Sequence, residues 1–188
     1  MIRGFLLVIW ILGGIVSCAP GHHDMGAVRQ WIGAQVVLCD SLSAVVDGHR
    51  AVLPCSDSLS EVKIVIYFDA EGCTPCRLKD LWQWKPWIEE YDSLRTVRFL
   101  FILNPSRTTT REVEQTLYGI RFTHPIFYDS TAIFERLNPE LPSNPLFHTF
   151  MLDRNDHVVL VGSPIGNSRM SALYRRVIDS LTTTRIRQ

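Results

Sequence analysis

Val62-Lys63-Ile64-Val65-Ile66-Tyr67-Phe68-Asp69-Ala70-Glu71-Gly72-Cys73-Thr74-Pro75-Cys76 is the stretch on which the reading of this chain turns. Its first seven residues are β-branched and almost wholly apolar, the signature of a strand buried on both faces. Four residues without period follow, and then two cysteines separated by two residues. Leu78, Leu81, Trp82, Lys85 and Ile88 continue at helical spacing, and Pro86 is expected to kink or interrupt that helix. The cysteine pair therefore falls at a junction between a buried strand and a helix.

Two cysteines at this spacing can be half a structural zinc site, a redox pair or a structural disulfide. Zinc normally requires a second such pair or a spaced histidine pair. Cys39 and Cys55 lie sixteen apart in irregular sequence and do not provide one. The setting favours redox chemistry. Cys73 stands at or just before a helix N-terminus, where unsatisfied N–H groups and the helix dipole stabilise thiolate over thiol and lower the pKa from about 8.5 toward 7 or below. Cys76, one turn later, is placed to resolve a mixed disulfide. Pro75 suits the first helical turn, where its missing donor costs nothing.

Outward from this stretch, Val97 to Leu103 reads as a second buried strand and Thr110 to Tyr118 as a helix. Pro125 to Tyr128 is short and extended, and Thr131 to Leu137 fits one or two helical turns. His148 to Leu152 and His157 to Val161 flank the turn-forming Asp153-Arg154-Asn155-Asp156 and predict a hairpin. A closing helix, capped by Asn167 or Ser168, has Met170, Leu173, Tyr174, Val177, Ile178 and Leu181 as its apolar stripe. On the N-terminal side, Gln35 to Cys39 and Arg50 to Pro54 read as outer strands. The order predicts an α/β architecture: a central mixed β-sheet flanked by helices on both faces, with an N-terminal strand extension.

The first residues belong to targeting. Arg3 precedes an apolar run from Gly4 to Val16, too short for the roughly 20 residues of a membrane span and suited to a signal peptide. Ile15-Val16-Ser17-Cys18 resembles the lipobox of bacterial lipoproteins, which implies a signal peptide over 1–17 and a diacylglycerol on Cys18 anchoring the chain to a bilayer. Residues 18–30 then read as a lipidated tether and 31–188 as a single domain, large enough for a proper core. Taking Cys18 out of the five cysteines leaves an even number, Cys39, Cys55, Cys73 and Cys76, which suits an oxidising compartment. Whether Cys39 and Cys55 form a second disulfide or remain two buried thiols stays open. Lys plus Arg and Asp plus Glu number 19 each, and without a basic surplus nucleic acid is excluded as a partner.

The stretch from Val62 to Cys76 resembles the active-site strand and loop of thioredoxins. Thr149 to Asp153, followed by Arg154 to Val159, resembles the hairpin of TlpA-type proteins, the membrane-anchored branch of that family. The resemblance, from Val62 to Leu181, implies a thioredoxin-like fold and extracytoplasmic thiol–disulfide exchange. Cys73 would be the nucleophile and Cys76 the resolving thiol, with no cofactor beyond their disulfide. It further implies secreted, cysteine-containing protein substrates, a membrane or periplasmic electron donor, and a lipid-anchored location in the cell envelope facing periplasm or exterior.

Three departures stand out. Gly72 replaces the tryptophan that usually precedes the nucleophile. Tyr67 aligns with the buried acid of cytosolic thioredoxins, leaving Asp69 and Glu71 as the nearest carboxylates, each as readily a surface residue as a substitute. Phe147 occupies the position of the cis-proline that shapes the substrate groove, with Pro145 two residues earlier. The groove candidates are accordingly Gly72, Thr74, Pro75, Phe147 and His148. His148 also opens a rival reading, a copper-binding or delivery module using Cys73, Cys76 and His148. A redox-inert binding protein with the cysteine pair as a staple is a third. Among the tryptophans, Trp82 fits the core stripe, while Trp84 and Trp87 could line a docking surface for partner chains, with core or semi-buried packing favoured.

Overall fold

The computed structural model describes residues 22–183, except 39, 41, 48, 57–58, 71–73, 93–95 and 106–109. Strand β3, Val62–Phe68, lies between β4, Val97–Leu103, and β6, Thr149–Asp153. It is parallel to β4, with Val62 opposite Val97, and antiparallel to β6. A strand paired on both edges and covered on both faces has no solvent side, which is why all seven of its residues are buried and its sequence does not alternate.

The full sheet runs β2-β1-β5-β4-β3-β6-β7. Strand β5, Ile126–Tyr128, is parallel to β4, and β7, Val158–Val161, closes the predicted hairpin with β6. The far edge is a hairpin of β1, Ser43–Val46, and β2, His49–Ala51, with β1 antiparallel to β5. Its turn passes through Asp47 at φ +49°, a left-handed conformation that Asp tolerates better than most residues. The predicted strand extension therefore exists. It begins at Ser43, however, and Gln35 makes only an isolated bridge to His157.

Alternation along the strands divides the core in two. Val62, Ile64, Ile66 and Phe68 join Phe99, Phe101 and Leu103 on one face, under α6 (Ser168–Thr183) through Tyr174 and Ile178, and under α4 (Thr110–Gly119) through Val113 and Leu117. The cap of α6 is Asn167, whose Oδ1 accepts from Met170 N at 3.1 Å. Val65, Tyr67, Leu100, Ile102 and Phe150 face the other way, against Phe134 of α5 (Ile133–Leu137) and Trp31 of α1 (His22–Trp31). Lys63 also points to this side and is 1% exposed, with its ammonium 2.8 Å from Asp156 Oδ1. Helix α5 is begun by the buried Asp129, whose carboxylate accepts from the backbone N–H groups of Ile133 and Phe134 at 2.8 and 2.9 Å.

Two expectations are corrected here. The segment read as a tether to residue 30 is folded from His22 onward. Trp31 is buried against Phe150, and Gly33, Ala34 and Val36 exchange backbone hydrogen bonds with Val158 and Asp156. Trp82, expected in the core stripe, is 57% exposed, whereas Trp84 and Trp87 are buried, in line with the favoured packing reading and not with a docking surface. The helix after the cysteines is broken into α2 (Thr74–Lys79), a 3₁₀ stretch (Asp80–Trp84) and α3 (Lys85–Asp92). Pro86 has no N–H to donate, and Lys85 N already bonds to Trp82 O in the tighter pattern. Three residues per turn instead of 3.6 advance the phase, swinging Trp82 outward and Trp84 inward.

Candidate active site

Helix α2 begins at Thr74, so a helix follows the buried strand β3 as the sequence predicts, with Cys76 in its first turn. Gly72 and Cys73 lie outside the described residues, as do Cys18, Cys39 and Glu71. Thr74, Pro75 and Cys76 belong to the first turn of α2.

Asp69 is the first residue after β3. It is 5% exposed, not the surface carboxylate that its sequence position equally allowed. Its Oδ1 accepts from Arg77 Nη1 at 2.8 Å. Arg77 follows Cys76 directly, donates again to Tyr67 O at 3.2 Å, and lays its guanidinium over the Phe68 ring, 5.1 Å from the centroid. One side chain of α2 thus grips the end of β3 at three points. Asp69 also lies 3.0 Å from Nδ1 of His148 through its Oδ2.

His148 sits just ahead of β6, 4% exposed, so its ring lies beneath the groove wall rather than on it. Its Nε2 is 2.8 Å from Pro142 O. A carbonyl only accepts, so Nε2 carries the hydrogen, and the neutral ring turns a bare Nδ1 toward Asp69. This contact becomes an ion pair only on protonation, and Nδ1 has no hydrogen-bond partner otherwise. Burial pushes the imidazole below its ordinary value of 6.5, outweighing the upward pull of the Pro142 carbonyl and of Asp69. In the unfolded chain the ring protonates near 6.5; in the folded chain it does so only at lower pH. The stability contributed by the neutral ring is present in full above 6.5 and drains as pH falls toward the folded value. The melting temperature is therefore expected to drop on acidification from about pH 7 to 5, and His148→Gln should flatten that slope. Parallel pH–melting curves check this.

The position aligned with the thioredoxin acid holds Tyr67, and its phenol donates to Glu135 Oε1 at 2.8 Å. Burial, reinforced by Glu135, drives the phenol far above its ordinary range, so it keeps its proton at neutral pH and cannot take one from a thiol. No peptide bond is cis among the described residues. Pro145 instead opens a 3₁₀ turn, Pro145–Phe147, capped by Asn144, whose Oδ1 accepts from Leu146 N. Phe147 is partly buried against the core and leaves the cis-proline position without a proline.

Two hollows meet at this network. One, of about 380 Å³, is lined by Asp69, Ala70, Glu135, Pro142, Ser143 and His148. The other, about 360 Å³, runs between Arg77 and Asp80 on one side and Pro145, Leu146 and Ser163 on the other. The neighbours of Asp69 are the part of the site that sequence reasoning missed. The usable signal was a carboxylate directly after an almost wholly apolar strand, eight residues ahead of an arginine.

No family model and no curated protein matches this chain. Solved structures do. A candidate DsbE-type thiol:disulfide interchange protein from Chlorobium tepidum superposes with a TM-score of 0.56 at 16% identity, covering 80% of this chain and 97% of that one. A thioredoxin-like protein in its oxidised form gives 0.54 at 14%, with the same coverage. Mycobacterium tuberculosis AhpC gives 0.52 at 16%, again over 80% and 97%. The chain has a thioredoxin-like fold. At these identities the likeness speaks for the fold alone.

Proposed function

We propose that this chain is a thiol–disulfide oxidoreductase of the cell envelope, lipid-anchored through Cys18, in which Cys73 attacks a substrate disulfide and Cys76 releases the mixed intermediate. The observation that carries the reading is the place of the cysteine pair. Cys76 lies in the first turn of a helix that follows a central, fully buried strand in the chain, directly before Arg77, whose ion pair with Asp69 joins the two elements. In open α/β sheets this end of the strands is where ligands and reactive groups gather. A thiol entering a helix there faces unpaired N–H groups that favour its anion.

In the exchange the dithiol gives up two electrons and two protons, and each sulfur of the substrate disulfide leaves as a thiol. Resemblance to the TlpA-type branch tilts the direction toward reduction of secreted, cysteine-bearing proteins, with electrons arriving from a membrane or periplasmic donor. The rival copper-site reading using Cys73, Cys76 and His148 is less favoured, because the open ring nitrogen of His148 is buried and faces the Asp69 carboxylate at 3.0 Å.

Alkylation of the reduced chain with iodoacetamide across pH, with Cys73 followed by peptide mass, tests the proposal. The expected result is a reactive Cys73 whose apparent pKa is near 7 or below. A Cys73 that stays inert, or that titrates at about 8.5 as an ordinary thiol, would overturn it.

A further inference from the structure

Arg77 follows Cys76 directly on α2, so its charge is carried by the same helix as the resolving thiol's position. A guanidinium there is permanently charged and favours thiolate. Left alone, it would stabilise the reduced couple and make it strongly oxidising. Asp69 answers that charge at 2.8 Å from a buried position. Among the described residues, the other titratable groups near the pair are His148, at the entrance to β6, Glu135, on α5, which accepts from Tyr67, and Asp80, which lines the same hollow as Arg77.

Resting on the oxidoreductase reading above, we propose that the Asp69–Arg77 ion pair sets the redox poise of the Cys73/Cys76 couple, Arg77 pushing it toward oxidant and Asp69 holding it back. Both are positioning residues, acting through the field at the sulfurs and not by contact with substrate. The pair also joins α2 to β3, so a purely structural role has to be separated from an electrostatic one. The sign of the effect separates them. Damage to the junction moves every variant the same way, whereas charge moves the two single variants in opposite directions.

The test equilibrates the full chain with glutathione redox buffers and traps the Cys73/Cys76 state by alkylation. Asp69→Asn is expected to raise the equilibrium constant for oxidation of glutathione about tenfold, or about 30 mV for this two-electron couple. Arg77→Gln is expected to lower it by a similar factor, and the double variant to return within about twofold of the native value. Arg77→Lys, which keeps the charge and loses the fork, should stay near native. Should Arg77→Gln fail to fold, Asp69→Asn and the double variant still decide. A shift of less than about twofold in Asp69→Asn, or shifts of one sign in both singles, overturns the proposal while leaving the oxidoreductase reading standing. A cysteine pair that never equilibrates with glutathione removes both.

Discussion

Cys73→Ser is expected to abolish disulfide exchange, lowering the rate of reduction of a small disulfide-bonded protein such as insulin by at least about a thousandfold. The attacking species is a thiolate, and a serine hydroxyl in the same place is not ionised at neutral pH. Cys76→Ser should behave differently. The first attack still occurs, but the thiol that would resolve the mixed disulfide is gone, so a covalent complex with substrate accumulates and is visible on a non-reducing gel. Exchange that persists in Cys73→Ser, or a Cys76→Ser chain that traps nothing, would each place the chemistry elsewhere in the molecule. The asymmetry of the two variants carries more information than either loss of activity, because a structural staple would respond equally to the removal of either end.

The largest effect on stability is expected from Trp31→Ala, about 3–5 kcal/mol. Trp31 is 1% exposed and meets the Phe150 ring edge-on at 5.3 Å. The residues after it are sewn to β7 and the turn before it by Gly33 N to Val158 O, Val158 N to Ala34 O, and Val36 N to Asp156 O, all between 2.8 and 2.9 Å. Asn138 adds a side-chain clasp, accepting from Val37 N at 2.8 Å and donating to Val37 O at 3.1 Å. Backbone so fixed cannot collapse into the space an indole leaves, which puts the cost in the upper part of the usual range for core truncations. A domain with about 5–15 kcal/mol in total would lose much of its margin. Urea unfolding at fixed pH measures it, and a loss below about 1 kcal/mol would mean that α1 is an appendage and not part of the core.

These features differ in how far the residues alone disclose them. Strands β3 and β4 are readable because burial on both faces leaves long apolar runs, and the β6–β7 hairpin because Asp153 to Asp156 can scarcely do anything but turn. Strand β1 is four residues long and meets the sheet only through β5, too brief for alternation to register; its one clear signal was the hairpin-forming Asp47-Gly48. Helix α1 looks like linker because its stretch before Trp31 is mostly polar and its anchor comes at its last residue. The exposure of Trp82 arises from a change of helical pitch over Asp80–Trp84, ahead of Pro86, which a constant 3.6-residue period cannot follow. At the site, the position of the cysteine pair is local and legible. Asp69 and Arg77 lie only eight residues apart, but His148 joins them from far along the chain, and no local spacing discloses its part.

The early start of α1 has a consequence for where such a protein could work. With Cys18 acylated as proposed, four peptide units separate the lipid from His22, a leash of at most about 15 Å. The folded body would then ride against the headgroups rather than roam the compartment. Partners would meet it by lateral diffusion or by arriving at the bilayer surface, and reach, as much as reactivity, would decide which proteins it serves.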